Sequence, residues 1–114
     1  MTEEPSCCYL TTTGRRTHRP HEIEIWFARQ GQTVYLLSGG RDRADWVRNL
    51  QRERGVSVRI GTRTYQATAR VVDPGTDEDA LARRLLLEKY QASAGEDLTD
   101  WGRTALPVVL ELVG

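Results

Sequence analysis

The chain has 114 residues, 39% of them hydrophobic, with a mean hydropathy of −0.54. That is enough for one domain with a modest core, and no apolar run approaches a membrane span, so no membrane partner is expected. Sixteen basic and sixteen acidic side chains cancel, which argues against a general nucleic-acid binder.

The N-terminal Met1-Thr2-Glu3-Glu4-Pro5-Ser6 has neither a basic nor an apolar leader segment. The two cysteines, Cys7 and Cys8, are adjacent, a poor arrangement for a disulfide between them. A reduced, cytoplasmic location is the expectation. Charge is laid out unevenly. Residues 41–70 carry eight arginines against three acids, and residues 71–114 four basic against nine acidic side chains. Fifteen of the 16 basic residues are arginine, a bias that a GC-rich genome produces without function, so arginine choice alone decides nothing.

In chain order, residues 8–13 read as a first strand ending in the β-branched run Thr11-Thr12-Thr13. Gly14 permits a sharp bend. Three arginines, Arg15, Arg16 and Arg19, then fall within five positions before Pro20. With the Thr17 hydroxyl they make a cluster of donors suited to phosphate or carboxylate. A solvated arginine hairpin fits this stretch equally well when it is taken alone. Residues 21–29 alternate, with Ile23, Ile25 and Phe27 on one face and Glu22, Glu24 and Trp26 on the other. Trp26 is out of place on a solvated face, and a dimer interface or a ligand wall would account for it.

Gln30-Gly31-Gln32 is a hairpin turn, and residues 33–38 form a strand with Val34 and Leu36 opposite Tyr35 and Leu37. The first three strands are expected to form an antiparallel meander. Ser38-Gly39-Gly40-Arg41 then breaks the sheet and exposes backbone N–H groups. Asp42 reads as the N-cap of a helix over about 43–54, with Gly55 as its stop. Trp46, Val47 and Leu50 are its apolar stripe, and Asn49 lies one turn beyond Trp46. A strand end, a Gly-Gly break and a helix start suit an anion or a ring edge, although flexibility alone also explains the glycines.

Residues 56–60 and 63–72 form the next two strands, with Tyr65, Ala67, Ala69 and Val71 sharing a face. Asp73-Pro74-Gly75 ends the second of them. Thr76 and Asp79 resemble a capping box for a helix running to about residue 92, with Leu81, Leu85 and Tyr90 as its buried stripe. Residues 93–104 are a polar loop carrying Trp101, and residues 107–113 a last strand. The order β-β-β-α-β-β-α-β predicts a mainly β, α+β domain: six antiparallel strands in a small barrel with two helices.

His18, His21, Cys7 and Cys8 are too few and too scattered for a metal site, so no metal is expected. Ser38 has no histidine tied to it, Cys8 reads as a buried apolar residue, and Glu22 and Glu24 read as a solvated strand face or subunit contact. No catalytic side chain emerges. What remains is a groove for a cofactor that brings its own chemistry.

The segments Leu10-Thr11-Thr12-Thr13-Gly14-Arg15-Arg16-Thr17, Arg19-Pro20, Ser38-Gly39-Gly40 and Asp45-Trp46-Val47-Arg48-Asn49-Leu50, with the closing Leu106-Pro107-Val108-Val109-Leu110, together resemble the deazaflavin-dependent nitroreductase and quinone reductase family. That family is related to the split β-barrels of the pyridoxamine phosphate oxidases. The resemblance implies a split barrel that binds coenzyme F420, with Gly14, Arg15, Arg16, Thr17, Arg19 and Pro20 on its phosphate-bearing tail. It also implies Ser38, Gly39, Gly40 and Arg41 along the deazaflavin ring, with Trp46 and Asn49 beside it. The implied reaction is hydride transfer to a small-molecule acceptor: a quinone, a nitroaromatic or an activated alkene.

His18 stands where that family usually has glycine. FMN in place of F420, in the manner of a pyridoxamine phosphate oxidase, is the alternative cofactor, and a non-catalytic cofactor-binding protein the alternative role. The fold family also implies a homodimer. Strand order alone would equally fit an oligonucleotide-binding barrel with Trp26 and Tyr35 as stacking platforms, but zero net charge and the glutamates beside Trp26 count against it.

Overall fold

A computed structural model describes residues 4–113. Seven strands form one antiparallel sheet: β1 (Cys7–Thr13), β2 (Pro20–Trp26), β3 (Ala28–Gln30), β4 (Thr33–Ser38), β5 (Gly55–Ile60), β6 (Arg63–Val71) and β7 (Leu106–Leu112). Their order across the sheet is β2-β1-β5-β6-β7-β4-β3. β2 and β3 thus occupy opposite edges while only Phe27 separates them in the chain. A sheet whose two edges share one residue must curl until those edges meet, and the result is a half-open barrel.

The bend at Phe27 revises two expectations. What reads as one strand over 21–29 is two, which makes seven strands rather than six. The expected meander is also absent, because β4 pairs with β3 and β7 and not with β2. The break is held from outside the sheet. The Tyr90 hydroxyl accepts the Phe27 N–H at 2.9 Å and lies 2.8 Å from the Phe27 carbonyl, to which Lys89 Nζ also donates at 2.8 Å. Both backbone groups lost from the ladder are satisfied there, and this is what permits a bend in the interior of the chain's most regular alternation.

Three α-helices complete the fold: α1 (Asp45–Arg52), α2 (Asp77–Tyr90) and α3 (Thr99–Thr104). Residues of opposite parity on β4 and β7 feed two separate cores. Cys8, Leu10, Val34, Leu36, Val58, Val108 and Leu110 gather with Phe27 beneath Val47 and Leu50 of α1. Tyr35, Leu37 and Val109 pack instead against Ala82, Leu86 and Tyr90 of α2.

The α2 stripe is therefore Ala82, Leu86 and Tyr90, one position on from the expected Leu81 and Leu85, which are half-buried. Docking of Tyr90 at the Phe27 break fixes the helix rotation. Leu87 meanwhile meets α3 at Gly102, so apolar residues face two neighbours rather than one. Thr76 does cap α2, its Oγ1 accepting the Asp79 N–H at 3.2 Å. α1 starts later than expected, with Ala44 rather than Asp42 at its N-cap, because Arg41–Arg43 form a short 3-10 turn first. It ends at Arg52 with Glu53 as its C-cap, and Gly55 opens β5 instead of stopping the helix. The polar stretch before β7 is not all loop; α3 lies within it, and Leu98 is buried.

Candidate functional site

The turn after β1 and the first turn of α1 face each other across a cleft of about 470 Å³. Thr12, Gly14, Arg15, Arg16 and Thr17 line one wall, Asp45, Trp46 and Asn49 another, and His21, Glu22 and Ile23 of β2 a third. Asn49, almost wholly buried, organises it. Its Oδ1 accepts both the Arg15 N–H at 3.2 Å and Arg15 Nη1 at 2.9 Å, and its Nδ2 donates to the buried Thr12 hydroxyl at 3.2 Å. Arg15 Nη2 also reaches Asp45 Oδ1 at 3.2 Å. A buried amide satisfied on both ends thereby locks the end of β1 to α1 and pre-sets the Arg15 fork. Arg16 is exposed and has no side-chain partner among the described residues.

The turn itself is tight. The Gly14 N–H donates to the Arg19 carbonyl at 2.8 Å, and the His18 N–H to the Gly14 carbonyl at 2.9 Å. His18 has φ +59°, the left-handed region that glycine enters freely and other residues enter at a cost of about 1 kcal/mol. That backbone demand is a physical reason for the glycine the resembling family usually places there. Gly14 is needed for space: a Cβ would lie 2.6 Å from His21 Nε2 and 2.7 Å from Thr17 Oγ1.

The predicted residues divide. Gly14, Arg15, Arg16, Thr17, Trp46 and Asn49 come together in this cleft, whereas Arg19 on the turn and Pro20 at the start of β2 are exposed outside it. The Ser38-Gly39-Gly40-Arg41 loop lies elsewhere. Ser38 is buried and its Oγ donates to the Arg41 carbonyl at 2.9 Å, bracing Arg41 at φ +57°. A Cβ on Gly40 would touch Ala44 at 3.4 Å, and one on Gly39 would lie 3.8 Å from the Trp101 ring. The loop therefore runs from the start of α1 to a second cleft of about 440 Å³, walled by Trp26, Trp101, Leu98, Leu37, Ile25 and Cys7, with Glu24 and Glu96 at its margin.

Trp26 is not a bare surface ring. It stacks on Tyr90 with centroids 4.4 Å apart and 3° between planes, and meets Trp101 edge-on at 5.5 Å. The two clefts are consecutive along β2, since Ile23 lines the first and Ile25 the second.

Asp45, Trp101 and His21 are site residues that the sequence alone does not assign. The parity that pointed Ile23 and Ile25 inward included His21 in the same series, so a signal for it existed. Trp101 had none, because only the docking of α3 brings it to Gly39.

No nucleophile emerges from the thiols. Burial pushes the Cys8 thiol up to about 12, and burial followed by the Glu24 charge raises that of Cys7. Both cysteines are free. The bond Tyr9 donates to Glu24 at 2.7 Å raises the tyrosine above its ordinary range. Among the described residues no three His, Cys, Asp or Glu side chains gather as a metal site would need, and no helix is long and apolar enough to cross a membrane.

The curled antiparallel sheet, with guanidinium groups at one cleft and indoles at the next, has the fold of a split barrel. A profile of the F420H(2)-dependent quinone reductases matches residues 2–112, and the chain belongs to that family of oxidoreductases, whose cofactor is F420. An F420H(2)-dependent quinone reductase of Mycobacterium tuberculosis strain H37Rv is 30% identical over 73 residues, 61% of this chain and 49% of that protein. The chain spans about half the length of such curated relatives. Among solved structures, an F420-H2 dependent reductase superposes with TM-score 0.75 at 20% identity, over 97% of this chain and 98% of its own. The haem storage protein HutZ of Vibrio cholerae does so with TM-score 0.75 at 17% identity, over 96% and 82%. Likeness at that identity speaks for the fold.

Proposed function

We propose that this chain is an F420-dependent oxidoreductase acting on a quinone, with nitroaromatics and activated alkenes as further candidate acceptors. One observation carries the reading: two clefts lie in line along β2, one rimmed by Arg15 and Arg16 and the other walled by Trp26 and Trp101. The first suits a phosphate. Arg15 is pre-oriented by Asn49, and Arg16 is free to pair. Gly39, with no side chain, lets the loop pass close to the Trp101 ring that walls the second cleft.

Reduced F420, when bound, would supply the hydride. The protein's own contribution is position: Arg15, Arg16 and Thr17 hold the phosphate-bearing end, while Trp26 and Trp101 offer a face and an edge to an aromatic acceptor and keep water from it. No side chain is assigned as acid or base. A homodimer is our inference for the assembly, since β2 stands at a sheet edge with one side of its backbone unpaired by β1.

Titration of the purified protein with F420 and with FMN tests the cofactor, and oxidation of reduced F420 by a benzoquinone tests the reaction. We expect F420 to bind and to turn over. Micromolar binding of FMN with none of F420 would overturn the assignment. Arg16→Ala is expected to weaken F420 binding by about 1–3 kcal/mol, the range of one charge-assisted contact. An unchanged affinity would mean that Arg16 is merely solvated.

A further inference from the structure

His21 is the one imidazole of the first cleft, set among permanently cationic arginines, and imidazole is the side chain that ordinarily changes charge between about pH 5 and 8. Its place is built rather than incidental. It pairs with Thr12 across β1 and β2, and directly opposed residues of an antiparallel pair share a face. His21 therefore projects to the side on which Thr12 meets Asn49. The ring lies over Gly14, whose missing side chain is what admits it, and Nε2 is 3.5 Å from Thr17 Oγ1.

The charged groups around it come from three elements. The turn contributes Arg15, Arg16 and, beyond the cleft, Arg19 beside the titratable His18; α1 contributes Asp45; and β2 itself contributes Glu22. Asp45 already pairs with Arg15. Arg16 has no such partner among the described residues, so an anion in the cleft meets a cation that nothing else compensates and, on the β2 wall, an imidazole able to donate to it.

We propose that His21 is a ligand of the anionic group held in this cleft and that its protonation gates the affinity. Phosphate-bearing ligands bind with uptake of a proton at His21, and affinity falls as pH rises above the imidazole range. The proposal deepens the F420 reading and takes its cofactor from it. The anion chemistry itself requires only a phosphate.

The experiment has two arms. In the first, F420 affinity is measured from about pH 5.5 to 8.5 for the full chain and for His21→Gln and His21→Arg, over the range in which imidazole changes charge. Ionisations of the ligand are common to all three proteins and cancel when the profiles are divided. The expected result is an affinity of the wild type that falls about tenfold relative to both variants as pH rises, the worth of one charge-assisted contact. His21→Arg should stay tight across the range and His21→Gln weak. Identical profiles for wild type and His21→Gln would overturn the proposal while leaving F420 binding intact.

The second arm uses inorganic pyrophosphate and follows the His21 imidazole proton by NMR, identified by its loss in His21→Gln. Pyrophosphate is expected to move its titration to higher pH, by the linkage between proton and anion. A titration unmoved by saturating pyrophosphate overturns the proposal. A shift with pyrophosphate in a protein that does not bind F420 sustains it and overturns the cofactor reading instead.

Discussion

Asn49→Ala should be the most informative single change, because this residue joins the fold to the site. Its side chain is 4% exposed and makes three hydrogen bonds: two accepted from Arg15, and one donated to Thr12, itself 1% exposed. The bond to Thr12 is buried on both sides and contributes about 1 kcal/mol, as does the one from the Arg15 backbone N–H. The guanidinium bond belongs to a side chain that is one-quarter exposed, so solvent screening limits it to roughly 0.5–1 kcal/mol. Truncation should therefore cost about 2–3 kcal/mol. For a domain of this size that lowers the melting temperature by about 10 °C, at roughly 4 °C per kcal/mol.

Urea unfolding of Asn49→Ala, Thr12→Val and the double variant would form a cycle. A coupling of about 1 kcal/mol is expected between the two positions. If the single change costs under about 0.5 kcal/mol with no coupling, water replaces the amide readily and the description of Asn49 as the clamp of the cleft is wrong. A loss of stability that leaves Arg15 still able to grip phosphate would refute only the second half of the reasoning, and F420 titration separates the two.

Tyr90→Phe removes the hydroxyl that serves both the Phe27 N–H and carbonyl. A cost of about 1–3 kcal/mol in denaturant unfolding is expected, with the Trp26 stack retained. Gly102→Ala would set a Cβ 2.6 Å from Leu87 Cδ1 in a buried contact, and overpacking of about 1–3 kcal/mol should appear as a lowered midpoint. A neutral result would mean that α3 slides freely on α2.

Glu78 accepts from both Arg70 nitrogens, and those bonds hold its carboxyl below the ordinary range. A depressed folded-state value means that its stabilisation is complete above the unfolded carboxylate range, near pH 4.3, and is lost as pH falls through the lower folded value. Glu78→Gln should accordingly flatten the fall in stability below about pH 4, and an unaltered acid limb would rule the pair out as a contributor.

Much of the barrel was legible in the chain because local physics and the tertiary fold agree there. Alternation placed Val34 and Leu36 against Tyr35 and Leu37, and these residues do belong to the two cores. Thr76 and Asp79 announced the start of α2, since a cap is decided within four residues. The arginine turn was visible for the same reason: a β-branched run, a glycine and a proline fix its geometry almost alone. Where neighbours in space decide, the chain was silent or misleading. Leu81, Leu85 and Leu86 are equally apolar, and only the docking of Tyr90 on Phe27 selects the face that α2 buries.

The sequence by itself determined most of the strands, the capped helix and the cationic turn after β1, all consequences of side-chain stereochemistry over a few residues. The tertiary structure alone decided that β2 breaks at Phe27, that β4 lies beyond β7, and that Trp101 stands over Gly39. Each of those depends on contacts between residues far apart in the chain, Tyr90 with Phe27 above all. It also decided which donors of the turn face a ligand. Asn49, 34 residues beyond Arg15, turns one arginine into a fixed fork and leaves the next one free, and no periodicity within the turn distinguishes the two.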